Sequence, residues 1–226
     1  MRSNRLKTVK ALIFDFNGTL FWDTLYHQKA WASIAEKYGK HPYTEEEMHL
    51  LNGRTNSETI SFLVGENLPI SQIKKISEEK EQLYIEMCQR SMPLSLASGS
   101  VSLFEKAQNS GLKLAIATSA GEANMAWYKK WFSLNTYFPE SLIITDDNKR
   151  KGKPDPAIYL DTLAALKLDR DSCVVFEDTK SGILSASRAG IGRIYAIASL
   201  GADIKTTAAM GETHGQLDSF DQFVLE

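Results

Sequence analysis

The stretch Val9-Lys10-Ala11-Leu12-Ile13-Phe14-Asp15-Phe16-Asn17-Gly18-Thr19-Leu20 limits what this chain can become. Its first half is a short apolar run rich in branched and aromatic side chains, which reads as a buried strand. The run stops at a carboxylate, Asp15, and Gly18 follows shortly after. In an open α/β sheet, ligands bind beyond the carboxyl ends of the strands, so Asp15 falls where chemistry would occur. Gly18 lets the backbone turn sharply and approach a ligand. Alone, the same residues also describe a strand ending in an ordinary turn, because Asp and Gly favour turns.

The rest of the chain favours the first description. From Ala97 onward, strand and helix patterns alternate. Lys113–Ala117 is an apolar run closing at Thr118-Ser119, Ser141–Thr145 is another, Cys173–Phe176 closes at Glu177-Asp178, and Arg193–Ile197 is the last. Helical patterns separate them, around Val101–Ala107, through Met125, Tyr128 and Phe132, after Pro156, and over Ser181–Ala189. Asp155 suits the N-cap and Pro156 the first helical position of the third of these. The alternation predicts an α/β fold, a Rossmann-like parallel sheet covered on both faces. Residues 22–92 instead read as helical throughout: Asp23–Tyr38, Glu45–Leu51 behind the cap residue Thr44, a turn or two around Ile60–Val64, and Gln72–Arg90. The expected organisation is a core of residues 1–21 and 93–226 with an all-helical cap of residues 22–92 that leaves from beside Asp15 and acts as a lid. Trp127, Tyr128, Trp131 and Phe132 read as packing. The run Glu78-Glu79-Lys80-Glu81 reads as an exposed helix face, and Asp146–Lys151 as a solvated loop. Residues 199–226 are weakly patterned, with Phe220, Phe223 and Val224 suited to docking a final short helix.

At 226 residues the chain can bury one sizeable core with room for a second small lobe. A formal net charge of −2 gives no reason to expect a nucleic acid or an anionic membrane as partner. No stretch approaches the ~20 apolar residues of a membrane span. Arg2, Arg5, Lys7 and Lys10 make the N-terminus basic, but the apolar run after them leads to Asp15 rather than to a small-residue cleavage site. Cys88 and Cys173 do not make a disulfide framework. A cytoplasmic monomer is the expectation.

The strand ends carry a set of groups with one chemistry in common. Asp15, Thr118-Ser119 and Glu177-Asp178 close three strands, and Lys153 lies in the loop after a fourth. Phosphoryl transfer to a carboxylate uses such a set, since its catalysis is mostly positioning and charge neutralisation. Asp15 would attack phosphorus. Thr118 would donate to one phosphoryl oxygen, and Lys153 would neutralise another and hold the nucleophile. Backbone N–H groups of Asn17, Gly18 and Ser119 are further donors. Asp15 and Asp178 offer hard oxygens to Mg²⁺, with Glu177 as a second ligand or a supporting partner.

These pieces, in this order, resemble the haloacid dehalogenase superfamily, and within it the β-phosphoglucomutase-like phosphatases with a helical cap. The matching motifs are Asp15-Phe16-Asn17-Gly18-Thr19-Leu20, Thr118-Ser119, Gly152-Lys153-Pro154-Asp155-Pro156, and Phe176-Glu177-Asp178 followed by Gly182 and Ala189-Gly190. Tyr26-His27 with Ala30-Trp31 is similar to the start of the cap in β-phosphoglucomutases. The resemblance covers about residues 9–197. It implies a Mg²⁺-dependent hydrolase of a small phosphorylated metabolite such as a sugar phosphate, working through an aspartyl-phosphate. It also implies Asp15 as nucleophile, Thr118 and Lys153 as phosphate ligands, and Asp178 with the main-chain carbonyl of Asn17 as Mg²⁺ ligands.

The chain departs from that pattern at two places. The family's phosphatases and mutases have a second Asp, the general acid and base, where this chain has Asn17. An amide cannot transfer protons in that way, and losing a general acid–base typically costs ~10²–10⁴ in rate. Three accounts fit: slow turnover or substrates with good leaving groups, His27 in the cap as the proton carrier, or a substitution introduced to trap a complex. His27 also fits a hydrogen-bonded structural role near the hinge. The mutases of the family further carry a Lys and an Arg in the cap loop where this chain has Asn52 and Asn56, leaving Arg54 as the loop's cation. Arg54 fits either a lid contact to a substrate anion or a solvated surface. A phosphonate-cleaving member would need a cap lysine, and none stands out. A dehalogenase would not need the Mg²⁺ that Glu177-Asp178 suits. The expectations are therefore a phosphatase first, with a β-phosphoglucomutase-like phosphotransferase and a catalytically impaired phospho-ligand binder as alternatives.

Overall fold

A computed structural model describes residues 8–147 and 149–225. Arg2, Arg5 and Lys7 of the basic N-terminus and Asn148 of the charged loop lie outside the described residues.

Six parallel strands make one sheet, in the order β3-β2-β1-β4-β5-β6. They are β1 Ala11–Phe14, β2 Lys113–Gly121, β3 Ile143–Asp146, β4 Cys173–Glu177, β5 Arg193–Ile197 and β6 Gly215–Leu217. All four residues of β1 are fully buried, as the uninterrupted apolar run requires of a strand covered on both faces. Phe14 lies opposite Ile116 of β2 and Phe176 of β4. The next residue along β1, Asp15, thus emerges between the ends of its two neighbours, and its N–H donates to the Phe176 carbonyl at 3.0 Å.

Side-chain alternation divides the core into two layers. Leu12 and Phe14 face an aromatic layer in which Phe14 stacks on Phe176 at 4.9 Å and meets Phe104, Phe138 and Phe220 edge-on. Ring pairs of this kind contribute about 0.5–1.5 kcal/mol beyond the area they bury. Ala11 and Ile13 face the other layer with Val175, Ile183 and Ile194. The helices that cover the sheet are α5 Ser100–Asn109, α6 Glu122–Phe132, α7 Ala157–Leu166 and α8 Lys180–Arg188.

Four helices separate β1 from α5: α1 Thr24–Tyr38, α2 Glu45–Leu51, α3 Asn56–Leu63 and α4 Ile70–Arg90. They bury a cluster of their own, with Trp31, Ile34, Leu51, Ile60, Leu63 and Ile76. Thr44 with Glu47 and Thr55 with Glu58 each close a capping box, which fixes where α2 and α3 begin.

Several expectations need correction. Lys80 is 2 % exposed, and Glu81 beside it is mostly covered, so Glu78-Glu79-Lys80-Glu81 is not a solvent-facing run. The helical period explains this: Ile76, Lys80, Tyr84 and Cys88 follow one another at four-residue steps and form the inward stripe of α4. The third apolar run starts as one 3-10 turn, Glu140–Leu142, before β3. Helix α7 begins one residue later than expected, with the Asp155 carboxylate accepting from the Ala157 N–H. The weakly patterned tail contains a further helix, α9 Ile204–Ala208, and the sixth strand. Phe220 docks as expected, in the 3-10 turn Phe220–Gln222, whereas Val224 is 75 % exposed.

Candidate active site

The carboxyl ends of β1 and β4 bring Asp15, Glu177 and Asp178 together, all buried, with one oxygen of each within 4.8 Å of the others. Lys153, 2 % exposed, enters this cluster from the loop after β3. Its ammonium donates to Asp15 at 2.6 Å, to Glu177 at 2.5 Å and to the Ala117 carbonyl at 3.2 Å. Glu177 also accepts from the Tyr159 hydroxyl at 2.7 Å, and Asp178 from the Thr19 hydroxyl at 3.1 Å.

Burial dominates the electrostatics. It pushes the Asp15 carboxyl up to about 7; Lys153 pulls the other way and Glu177 adds to the rise. Burial, followed by the charges of Asp15 and Glu177, drives Asp178 well above the usual carboxylate range. Burial works against the Lys153 ammonium, yet Asp15 and Glu177 more than offset it and raise its pKa. Three carboxylates around one ammonium leave an excess of negative charge in a site with little water to solvate it. A divalent cation would remove that excess, and hard carboxylate oxygens are the donors Mg²⁺ prefers. Gly18 makes the arrangement possible. Its φ is +77°, and a Cβ there would lie 2.0 Å from an Asp178 carboxylate oxygen.

The cluster opens into a cavity of about 790 Å³ between the sheet and the four inserted helices. Asp15, Asn17, Thr118, Ser119 and Asp178 line its floor, while His27, Arg54 and Lys80 line it from the inserted segment. Hydrogen bonds that join the two sides include Ser119 Oγ to the Gly53 carbonyl at 3.0 Å, Ser181 Oγ to the Asn52 carbonyl at 2.9 Å, Asn124 Nδ2 to Glu81 at 2.5 Å and the Tyr128 hydroxyl to the Tyr84 hydroxyl at 2.9 Å.

The residues singled out in the sequence are placed as follows. Asp15, Lys153, Glu177 and Asp178 form one buried group. The Thr118 hydroxyl oxygen accepts from the Ala120 N–H at 3.0 Å, which leaves its proton for another acceptor. Ser119 directs its hydroxyl to the cap loop, so what it can offer an anion is its backbone N–H. The Gly18 N–H donates to the Phe21 carbonyl and to Asp23, and is not aimed at a ligand. Asn17 donates both amide hydrogens, to Asp23 at 2.6 Å and to the Tyr128 hydroxyl at 2.9 Å. His27 is stacked on Tyr84 at 3.9 Å, with Nδ1 2.8 Å from Lys80 and Nε2 3.3 Å from Asp23. Arg54 lines the cavity and pairs loosely with Glu58 at 3.8 Å.

Sequence reasoning missed Asp23, Lys80 and Glu81. Asp23 is fully buried and gathers Asn17, the Gly18 N–H, the Tyr84 hydroxyl and His27. Lys80 is the inward-facing cap lysine that did not stand out. Its position in the four-residue stripe Ile76-Lys80-Tyr84 was the available signal, obscured by the charges around it.

Comparisons with known proteins identify the family. A profile of the haloacid dehalogenase-like hydrolases matches residues 12–196. A Thermotoga maritima protein named phosphorylated carbohydrates phosphatase is 33 % identical over 194 residues, covering 84 % of this chain and 85 % of that protein. The β-phosphoglucomutase of Bacillus subtilis is 26 % identical over 188 residues, covering 81 % of each. The crystal structure of a family IA haloacid dehalogenase hydrolase from Entamoeba histolytica superposes with a TM-score of 0.85 at 34 % identity, covering 96 % of both chains. This chain therefore belongs to the haloacid dehalogenase-like hydrolase family, and to its β-phosphoglucomutase-like branch of phosphatases and related enzymes.

Proposed function

We propose that this protein is a Mg²⁺-dependent phosphatase that hydrolyses a small phosphorylated carbohydrate through an aspartyl-phosphate on Asp15. The observation that carries the proposal is the buried Asp15–Lys153–Glu177–Asp178 group at the floor of the cavity between the sheet and the inserted helices. The relative named for phosphorylated carbohydrates supports the substrate class.

Each residue then has a task. One Asp15 oxygen attacks phosphorus while the bond from phosphorus to the substrate oxygen breaks. Lys153 holds Asp15 in place and neutralises a phosphoryl oxygen, and the free Thr118 proton and the Ser119 N–H serve the others. The departing substrate oxygen takes its proton from water; a water then attacks the phosphoryl group and gives its proton back to solvent, the bond to Asp15 breaks, and inorganic phosphate leaves. Asp15, Asp178 and the Asn17 main-chain carbonyl would hold Mg²⁺, with Glu177 fixing Lys153 behind them. The bound ion would neutralise phosphoryl charge during transfer. Residues 22–92 form the cap that shuts water out of the cavity over the core of residues 1–21 and 93–226.

Asn17 is the weak point of the cycle. Its amide holds no transferable proton, and both amide hydrogens are engaged. The leaving oxygen must depart with less help, so turnover is slow while phosphate binding is retained. The test is phosphate release from a panel of phosphate monoesters with Mg²⁺, for this protein and Asn17→Asp. The expected result is EDTA-sensitive release that Asn17→Asp accelerates by about 10²–10⁴. Binding without release by either protein would favour the impaired-binder reading. Full activity with no gain from Asn17→Asp would move the proton to another group.

A further inference from the structure

Resting on the phosphatase reading, we infer that Glu81 makes the cap side of the cavity a subsite for hydroxyl groups that rejects a second anion, so the substrate is a neutral polyol monophosphate rather than a bisphosphate or phosphorylated acid. Glu81 lies on α4 and lines the cavity. Its Oε1 accepts from Asn56 at 2.6 Å and from Lys80 at 2.9 Å, and its Oε2 from Asn124 at 2.5 Å. Burial alone would raise this carboxyl, but Lys80, His27 and the two amides hold it down to about 2. The carboxylate is therefore a fixed negative charge at any working pH, built in from three elements.

The surroundings present acceptors. Asn56 gives one amide hydrogen to Ser77 and the other to Glu81, leaving its carbonyl oxygen to offer. Each carboxylate oxygen accepts about two hydrogen bonds, so Glu81 Oε2 has capacity beyond Asn124. A ligand entering here is matched if it brings donors, as sugar or polyol hydroxyls do. Lys80 and Arg54 do not reverse the sign. Lys80 is already paired with Glu81, Arg54 with Glu58, and Glu78 and Glu122 also line the cavity. A second phosphate or a carboxylate would face the fixed charge of Glu81 inside the cavity, where part of the bulk screening is lost.

The experiment measures kcat/KM for phosphate release from three compounds of similar size: a hexitol monophosphate, a hexose bisphosphate and a phosphorylated aldonic acid. Glu81→Gln, which keeps the shape and removes the charge, is measured alongside. The expected result is at least tenfold preference for the monophosphate in the unaltered protein, shrinking severalfold in Glu81→Gln. A structural role for Glu81 would lower all three rates together and leave their ratio unchanged, and that outcome overturns the inference. Equal or better hydrolysis of the bisphosphate overturns it too. If none of the compounds is hydrolysed, the phosphatase reading fails, and calorimetric Kd values for the same compounds with Mg²⁺ decide the subsite separately. The monophosphate must then bind more tightly than both competitors that carry a second anionic group, or the inference falls.

Discussion

Asp15, Glu177 and Asp178 crowd three carboxylates around the single ammonium of Lys153, and the imbalance has a measurable sign. Asp15 and Asp178 bind protons more tightly in the folded protein than in the unfolded chain. Stability from that source is present at low pH and is lost as pH climbs from the ordinary value of 3.8 through about 7. Without Mg²⁺, the thermal midpoint should therefore fall between pH 6 and pH 8, each kcal/mol lost being worth roughly 2–4 °C in a chain of this size. Millimolar Mg²⁺ should flatten that slope and raise the midpoint more at pH 8 than at pH 6, in differential scanning fluorimetry. A metal-free midpoint that rises over this interval would contradict the assignment. Much of this group was legible in the sequence, because a carboxylate or hydroxyl that closes an apolar run can only sit at a strand end. Asp23 and Lys80 were not. The burial of Asp23 depends on the distant Tyr84, and the four-residue stripe that carries Lys80 inward is hidden by the charges around it.

At the scale of elements, helical and strand periods located α1 to α8 and β1 to β5 within a few residues. The sixth strand escaped notice because Gly215–Leu217 is three residues long, with a polar Gln216 at its centre. The loop between α2 and α3 shows how closely the cap element meets the core. Gly53 has φ +78°, and a Cβ there would lie 2.5 Å from Ser181 Oγ and 2.8 Å from Thr179 Oγ1. Gly53→Ala should thus strain the loop by about 1–2 kcal/mol and force the cap away from α8. If that cost falls on the closed form, KM rises roughly tenfold, since 1.4 kcal/mol is a factor of ten. Steady-state kinetics check this, and an unchanged KM would show that closure does not depend on the contact.

For the whole molecule, the alternating pattern indicated a parallel sheet, but not its strand order, which depends on packing between distant segments. That order has a consequence for folding. The bonds that assemble the site join positions far apart along the chain: Lys153 to Asp15 across 138 residues, and Thr19 to Asp178 across 159. Contacts of such separation carry a large loop-closure entropy and form only when the chain between them is in place. Urea titration should therefore abolish phosphate release at the same midpoint at which far-ultraviolet circular dichroism reports loss of the sheet. Activity persisting beyond that midpoint would mean a partly folded chain can assemble the site. A ribosome-bound nascent chain that has not yet exposed Asp178 would lack one of the carboxylates proposed to hold Mg²⁺, so Asp15 would stay silent long after it had itself emerged.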